Sequence, residues 1–239
     1  PFLSYQKGKG MIMPDILGDM RDEGARGVKY WFATDYFRGR KRIDTQEFAS
    51  FLRKIGEHGL VATIHISNPD SWHERYYPKK VYGSKSDIRN QIFWLVSEAP
   101  ETDFVLVHMG GNPENPRGLA EKLDEFDNLY YDTSATKWVS RELSFHHDDA
   151  KALFNAHPDR ILFGTDIVVP PHNQGKLTDE EYYGTRYFVQ RLMLETRGPF
   201  LSPIDDPDNS DDKPLIGLNL NNSILEKIYH VNAEKLGLC

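Results

Sequence analysis

The chain has 239 residues, of which 39% are hydrophobic and 27% charged, with a formal net charge of −7; this is the make-up of an ordinary globular domain with enough apolar content for one sizeable core. The acidic balance and the scattered Lys and Arg residues argue against a nucleic-acid surface, and no apolar stretch approaches the roughly 18 residues of a membrane span. The one cysteine, Cys239, rules out an internal disulfide framework and points to a reducing, cytoplasmic compartment.

In chain order, five apolar runs read as strands: Gly27 to Phe32, Val61 to Ile66, Phe104 to Met109, Leu129 to Ser134 and Ile161 to Asp166. The spacing between them suits one crossover helix each, the rhythm of parallel βαβ units. Asp44-Thr45-Gln46-Glu47 opens a helix in which Phe48, Phe51, Leu52 and Ile55 recur at helical spacing, and Gly59 follows its end. Further helices are expected over Asp87 to Ala99, Ser140 to Ala156, Tyr182 to Thr196 and Ile224 to Leu236. Two long segments break the rhythm. Ser67 to Ser86 is aromatic and basic and is expected to form a lid over the strand ends, and Val168 to Tyr183 contains Pro170, Pro171 and His172. Long loops in a compact α/β domain are more often functional than idle. Residues 198–216, rich in Pro and Asp, read as a solvated excursion. Within it, Asp206-Pro207-Asp208 imitates the start of a calcium loop but lacks that loop's glycine and closing glutamate, and reads as a solvated turn.

Chemistry concentrates where the strands end. His65 closes the second run, His108 nearly closes the third and Asp166 closes the fifth. Imidazole and carboxylate are the donors that a divalent transition metal takes, and a buried strand rarely delivers a carboxylate unless charge is needed there. In parallel α/β sheets and barrels the C-terminal strand ends form one face, so residues far apart in sequence meet on it. Trp72, Arg75 and Tyr76 in the first long segment and His172 in the second follow such strand ends and are candidate substrate contacts. Lys29 reads as a lysine paired inside the sheet or reaching its mouth, Asp132 as fixing the Thr133-Ser134 turn, and Arg160 as structural. His146 and His147 are adjacent on an expected helix, so both reaching one ion is ruled out by geometry; they read as surface residues.

Several stretches resemble the amidohydrolase superfamily, in its aminocarboxymuconate-semialdehyde decarboxylase-like branch. His108-Met109-Gly110-Gly111 is similar to the sixth-strand histidine and its glycines, Leu129 to Ala135 to the seventh strand, Pro158 to Asp166 to the eighth, and Ile228 to Leu238 to the closing helix. Gly24 to Lys29 resembles the approach to strand four. The resemblance implies an α/β fold, a (β/α)8 TIM barrel, formed as a single domain over 1–239 with insertions at 67–86 and 198–216. It also implies one divalent metal ion, zinc first and manganese second, held by His65 and Asp166. Asp166 and His108 become the catalytic pair, and the activity becomes hydrolysis or non-oxidative decarboxylation of a small, carboxylated organic molecule. A homodimer is the assembly expected from the branch. The first-strand His-x-His pair of the family has no counterpart here, so the expectation is that the chain is the C-terminal two-thirds of a longer barrel. The competing expectation is a non-catalytic barrel relative acting as a binding or assembly module.

Overall fold

The structure is a computed structural model and describes residues 2–5, 16–32, 34–66, 69–167, 179–206, 208 and 213–238. Six strands form one parallel sheet in sequence order: β1 (Phe2–Tyr5), β2 (Gly27–Trp31), β3 (Val61–His65), β4 (Phe104–Leu106), β5 (Leu129–Asp132) and β6 (Ile161–Leu162). Each neighbour is parallel to the last, and among the described residues the sheet ends at β1 and β6. The five expected strands are present. β1 adds a sixth, which the short run Phe2-Leu3-Ser4-Tyr5 did not announce.

Crossover helices follow the strands. α1 (Leu17–Asp22) precedes β2, and α2 (Gln46–Glu57) begins at Thr45, whose side chain accepts from the Phe48 amide. The expected lid is itself helical, as α3 (Asp70–Tyr76) and α4 (Lys79–Tyr82). α5 (Lys85–Glu98) starts two residues before the expected Asp87, because Ser84 and Asp87 form a reciprocal capping box that satisfies the first amides. After β4 and β5 come α6 (Pro116–Glu125) and α7 (Thr136–Phe145). The single helix expected over Ser140 to Ala156 is broken at His146: α7 ends at Phe145 and α8 (His147–Ala156) starts anew. His147 is only partly exposed, and its Nε2 lies 3.2 Å from the Gly217 carbonyl. α9 (Asp179–Glu195) leads into a two-stranded antiparallel hairpin, β7 (Arg197–Phe200) with β8 (Leu215–Leu218).

That hairpin corrects the reading of 198–216 as solvated excursion, and Asp206 is no solvated turn residue either. It accepts from Arg141 at 2.7 Å, with only 4% of the arginine side chain exposed. A buried guanidinium needs such a partner to offset its lost hydration. The closing stretch runs as α10 (Asn222–Glu226), a π-helical turn over Lys227–Val231, and α11 (Asn232–Lys235).

The two faces of the sheet are packed differently. The outer face and the helices share the main core, which includes Val28, Tyr30, Ile64, Leu106, Tyr131 and Phe154. The inner face carries a smaller cluster of Val61, Val105, Tyr130 and Leu162, against which Ala233, Leu236 and Leu238 pack. Asn232 fixes that closing segment by donating to the Pro158 and Ile161 carbonyls, both at 2.8 Å. Arg160 does the same for the approach to β6, reaching the Phe126 and Leu129 carbonyls and lying over the Tyr130 ring. No described helix is long and apolar enough to cross a membrane.

Candidate active site

Register decides what the inner face presents. Lys29 pairs with Thr63, Thr63 with Val105 and Val105 with Tyr130, so these residues form one rung. One rung further toward the C-terminal ends, Trp31 pairs with His65 and Asp132 with Leu162. Side chains two apart along a strand share a face, so Lys29, His65 and Asp132 all point inward. His108 and Asp166 lie beyond the ends of their strands, and both strands are shorter than expected. β4 stops at Leu106, just before the chain turns left-handed at His108 (φ 58°), and β6 stops at Leu162, four residues before Asp166, which is itself left-handed (φ 55°). Left-handed backbone cannot continue a strand, and for residues other than glycine it stores strain of a kind that collects at functional sites.

Around His108 the whole turn is left-handed: His108, Met109, Gly110 and Gly111 have φ of 58°, 51°, 59° and 63°. Three contacts hold it. The His108 amide donates to Asp132 Oδ1 at 2.7 Å, the Ser134 amide donates to the same oxygen at 3.0 Å, and the Ser134 hydroxyl donates to it at 2.5 Å. Asp132 thus fixes the Thr133-Ser134 turn, as expected, and moors His108 as well. At Gly110 a Cβ would come within 2.8 Å of the Tyr131 ring. Gly110→Ala is therefore expected to lower stability by roughly 2–4 kcal/mol, from left-handed strain plus overpacking. Urea unfolding measures this, and a loss below about 0.5 kcal/mol would show that the turn is not held as described.

The same contacts set the protonation of His108. Its Nδ1 lies 2.6 Å from Ser134 Oγ, whose one proton goes to Asp132, so Nδ1–H is the donor and Nε2 keeps a lone pair. Burial, with help from Lys29, pushes the His108 pKa down to about 3, so the ring is neutral near pH 7. Nε2 faces Asp166 Oδ2 across 3.9 Å. His65 lies edge-on to His108 with ring centroids 5.0 Å apart, and burial first, then His108 and Lys29, hold its pKa well below the ordinary histidine value. Burial raises the Asp166 pKa against the pull of Lys29, although 49% of its side chain remains exposed. Burial also lowers that of Lys29, opposed by Asp132 and Asp166. The loop carrying Asp166 is secured from behind, where the buried Gln190 of α9 donates to the Thr133 and Gly164 carbonyls and Thr136 Oγ1 donates to the Thr165 carbonyl.

Beside Asp166 lies a cavity of about 290 Å³ lined by Trp72, Trp138, Lys137, Arg141, Arg186 and Ile204 among others. Trp72 thus comes to the site. Arg75 and Tyr76, the other two candidates of that segment, do not line the cavity: both are exposed, with Arg75 over the Tyr76 ring. His172 lies outside the described residues. Burial lowers the pKa of His73 in α3, partly offset by the Gly83 backbone. Its folded-state pKa is thus below its unfolded value, so acid favours the unfolded segment. As pH falls through the ordinary histidine range, hydrogen exchange over 70–76 is expected to speed up relative to that over 46–57. Equal behaviour of the two helices would refute this.

The amidohydrolase family model matches residues 15–236. The chain belongs to the amidohydrolase family. The fold of that family is a TIM barrel, and the parallel βα arc described above is part of one. A crystal structure of an amidohydrolase II superposes with TM-score 0.51 at 14% identity, covering 98% of this chain and 68% of the other. A probable 2-pyrone-4,6-dicarboxylic acid hydrolase from Acinetobacter baumannii, solved with citric acid, gives 0.52 at 14%, covering 95% and 69%. A dihydroxybenzoic acid decarboxylase from a Polaromonas species, solved with manganese and 2-nitroresorcinol, gives 0.51 at 16%, covering 93% and 63%. No curated protein sequence matches the chain. This amidohydrolase chain therefore spans about two thirds of the length of each solved relative.

Strand-tip reasoning singles out His65, His108 and Asp166, which the fold brings together. It does not single out Ser134 and Trp138, which lie against His108, or Glu114, which holds Trp138. Ser134 stands two residues after Asp132, a spacing that could have marked it. Trp138 and Glu114 sit in loop and helix positions with no such signal.

Proposed function

We propose that this chain forms the acid–base and ligand-bearing part of a metal-dependent enzyme that hydrolyses or non-oxidatively decarboxylates a small, carboxylated organic substrate. The observation that carries this reading is the facing pair of His108 Nε2 and Asp166 Oδ2, 3.9 Å apart at the C-terminal strand ends. Two proton acceptors so placed repel one another unless a cation or a proton-bearing group lies between them.

The donors present fit a divalent ion in kind. Burial keeps the His65 imidazole neutral, the state in which it ligates, and Asp166 offers carboxylate oxygen. They are a partial set, since among the described residues no three His, Cys, Asp or Glu side chains cluster tightly enough to hold a metal. Zinc and manganese both accept such donors. A bound ion would polarise a substrate oxygen or lower the pKa of a water to about 7.

The remaining work falls to side chains. Asp166, its pKa raised by burial, takes up or returns a proton at Oδ2. His108 accepts a substrate hydrogen bond at Nε2 in the tautomer that Ser134 enforces. Lys29 sets a positive charge close enough to act on Asp166, His65 and His108, suited to a substrate carboxylate.

The test is metal analysis of the purified protein with turnover of a dihydroxybenzoate and of 2-pyrone-4,6-dicarboxylate, before and after chelation. Expected are metal retention and turnover of one of these substrates, lost with chelator and restored by Mn2+ or Zn2+. Full turnover in chelated, metal-free protein would overturn the reading, as would a protein that neither retains metal nor acts on either substrate.

A further inference from the structure

Glu114 sits six residues beyond His108, in the loop between β4 and α6, with only 14% of its side chain exposed. Its Oε1 accepts from the Asp70 amide at 3.0 Å and from Trp138 Nε1 at 3.2 Å. Its Oε2 accepts from Lys85 Nζ at 3.4 Å. Lys85 also reaches Asp70 Oδ1 at 2.5 Å and lies 5.6 Å from the centre of the Trp138 ring. One carboxylate thereby joins the first turn of α3, the first turn of α5 and the indole of α7.

Two of those elements carry walls of the cavity beside Asp166: Trp72 is on α3 and Trp138 on α7. The Trp138 ring is also 6.3 Å from that of His108. α3 is short, and Pro69 before it gives no side-chain cap. An orphan amide at a helix start is normally satisfied by its own N-cap side chain. Here a residue from a distant loop does that, and in doing so fixes where Trp72 stands relative to Trp138.

We propose that Glu114 is a positioning residue: it clamps the helix of Trp72 against Trp138 and so sets the width of the cavity in which the substrate ring or chain lies. The clamp rests on the contacts above, and its bearing on substrate rests on the reading of this cavity as the substrate cavity. Loss of the clamp should loosen α3 and weaken substrate binding while leaving the proton chemistry at Asp166 and His108 largely intact. Glu114→Gln keeps an acceptor for the Asp70 amide and Trp138 but loses the charge toward Lys85. Glu114→Ala loses all three contacts.

The experiment is hydrogen exchange read by mass spectrometry, with steady-state kinetics on a dihydroxybenzoate, for wild type and both variants. In Glu114→Ala, exchange over 70–76 is expected to rise roughly tenfold, with 46–57 unchanged and Glu114→Gln in between. KM is expected to rise roughly tenfold, with kcat within about twofold of wild type. Unchanged protection of 70–76 in Glu114→Ala overturns the clamp, and loosening with unaltered KM overturns its control of the substrate cavity. A wild-type protein inert toward the dihydroxybenzoate overturns the reading of the cavity instead, and the exchange result then decides the clamp alone.

Discussion

Replacing Asp166 by Asn is expected to cut kcat by at least a factor of about 10² to 10⁴, the usual worth of a positioned acid or base, and to weaken metal retention. Asn is close to isosteric, and like Asp it tolerates left-handed backbone, so the φ of 55° survives the change. The carboxylate is half exposed, and its one described ion-pair partner is His108 at 3.9 Å. The fold should therefore stay intact while the proton acceptor opposite Nε2 disappears. The measurements are kcat, metal per chain and the thermal midpoint of the same preparation. Turnover equal to wild type would remove Asp166 from the mechanism; a collapsed midpoint would show that it is structural.

Asp132→Ala should do the reverse and damage the fold first. One buried oxygen, Oδ1, accepts from the His108 amide, the Ser134 amide and the Ser134 hydroxyl. Truncation strands all three donors where water does not easily replace the lost acceptor, and it releases a left-handed turn that its own residues do not favour. Removing one partner from a buried charged network costs roughly 3–5 kcal/mol, a large share of the 5–15 kcal/mol typical of a domain. Urea unfolding should show that loss. Activity should fall with it even where the variant still folds, because the ring of His108 loses its anchor through Ser134. Asp132→Asn retains an oxygen acceptor and should lie between. A loss below about 1 kcal/mol in Asp132→Ala would mean that the turn is held by something else.

The strand and helix rhythm was legible because burial on the outer face leaves a periodic trace. Phe51, Leu52 and Ile55 mark one side of α2, and the apolar runs mark the strands. The ends of those runs misled in a consistent direction. Phe104 to Met109 looked like one strand because Val107 and Met109 are apolar and buried, yet hydrophobicity is blind to the sign of φ, and the chain turns left-handed at His108. The break at His146 is also invisible in apolar spacing, since Leu143, Ala150 and Leu153 keep a helical pattern across it. β7 and β8 leave no trace in the composition because Pro and Asp between them dominate it, while the pairing that makes them strands joins residues 15 to 21 apart.

For the site, single residues at strand tips were readable and networks were not. His65 and Asp166 announce themselves by being polar at the end of an apolar run. Glu114, Ser134 and Arg141 matter through partners such as Trp138, Asp132 and Asp206, and no linear spacing encodes those meetings. The basic stretch after β3 divides for the same reason: Trp72 and Arg75 share a helix, but only Trp72 turns toward the cavity.

The rungs of the inner face have a consequence for how the chemistry can be lost. On β2 and β3 the inward residues are the odd-numbered ones: Lys29 and Trp31, Thr63 and His65. Side-chain direction along a strand is a matter of parity, so a one-residue change upstream within β3, absorbed by a slip of the strand, would replace His65 at the mouth by Ile64 after an insertion or by Ile66 after a deletion, and bury the imidazole among the helices. Most substitutions erode such a site by degrees, whereas an indel of one residue would switch it off in a single step, and one of two residues would keep the facing and shift it by one rung.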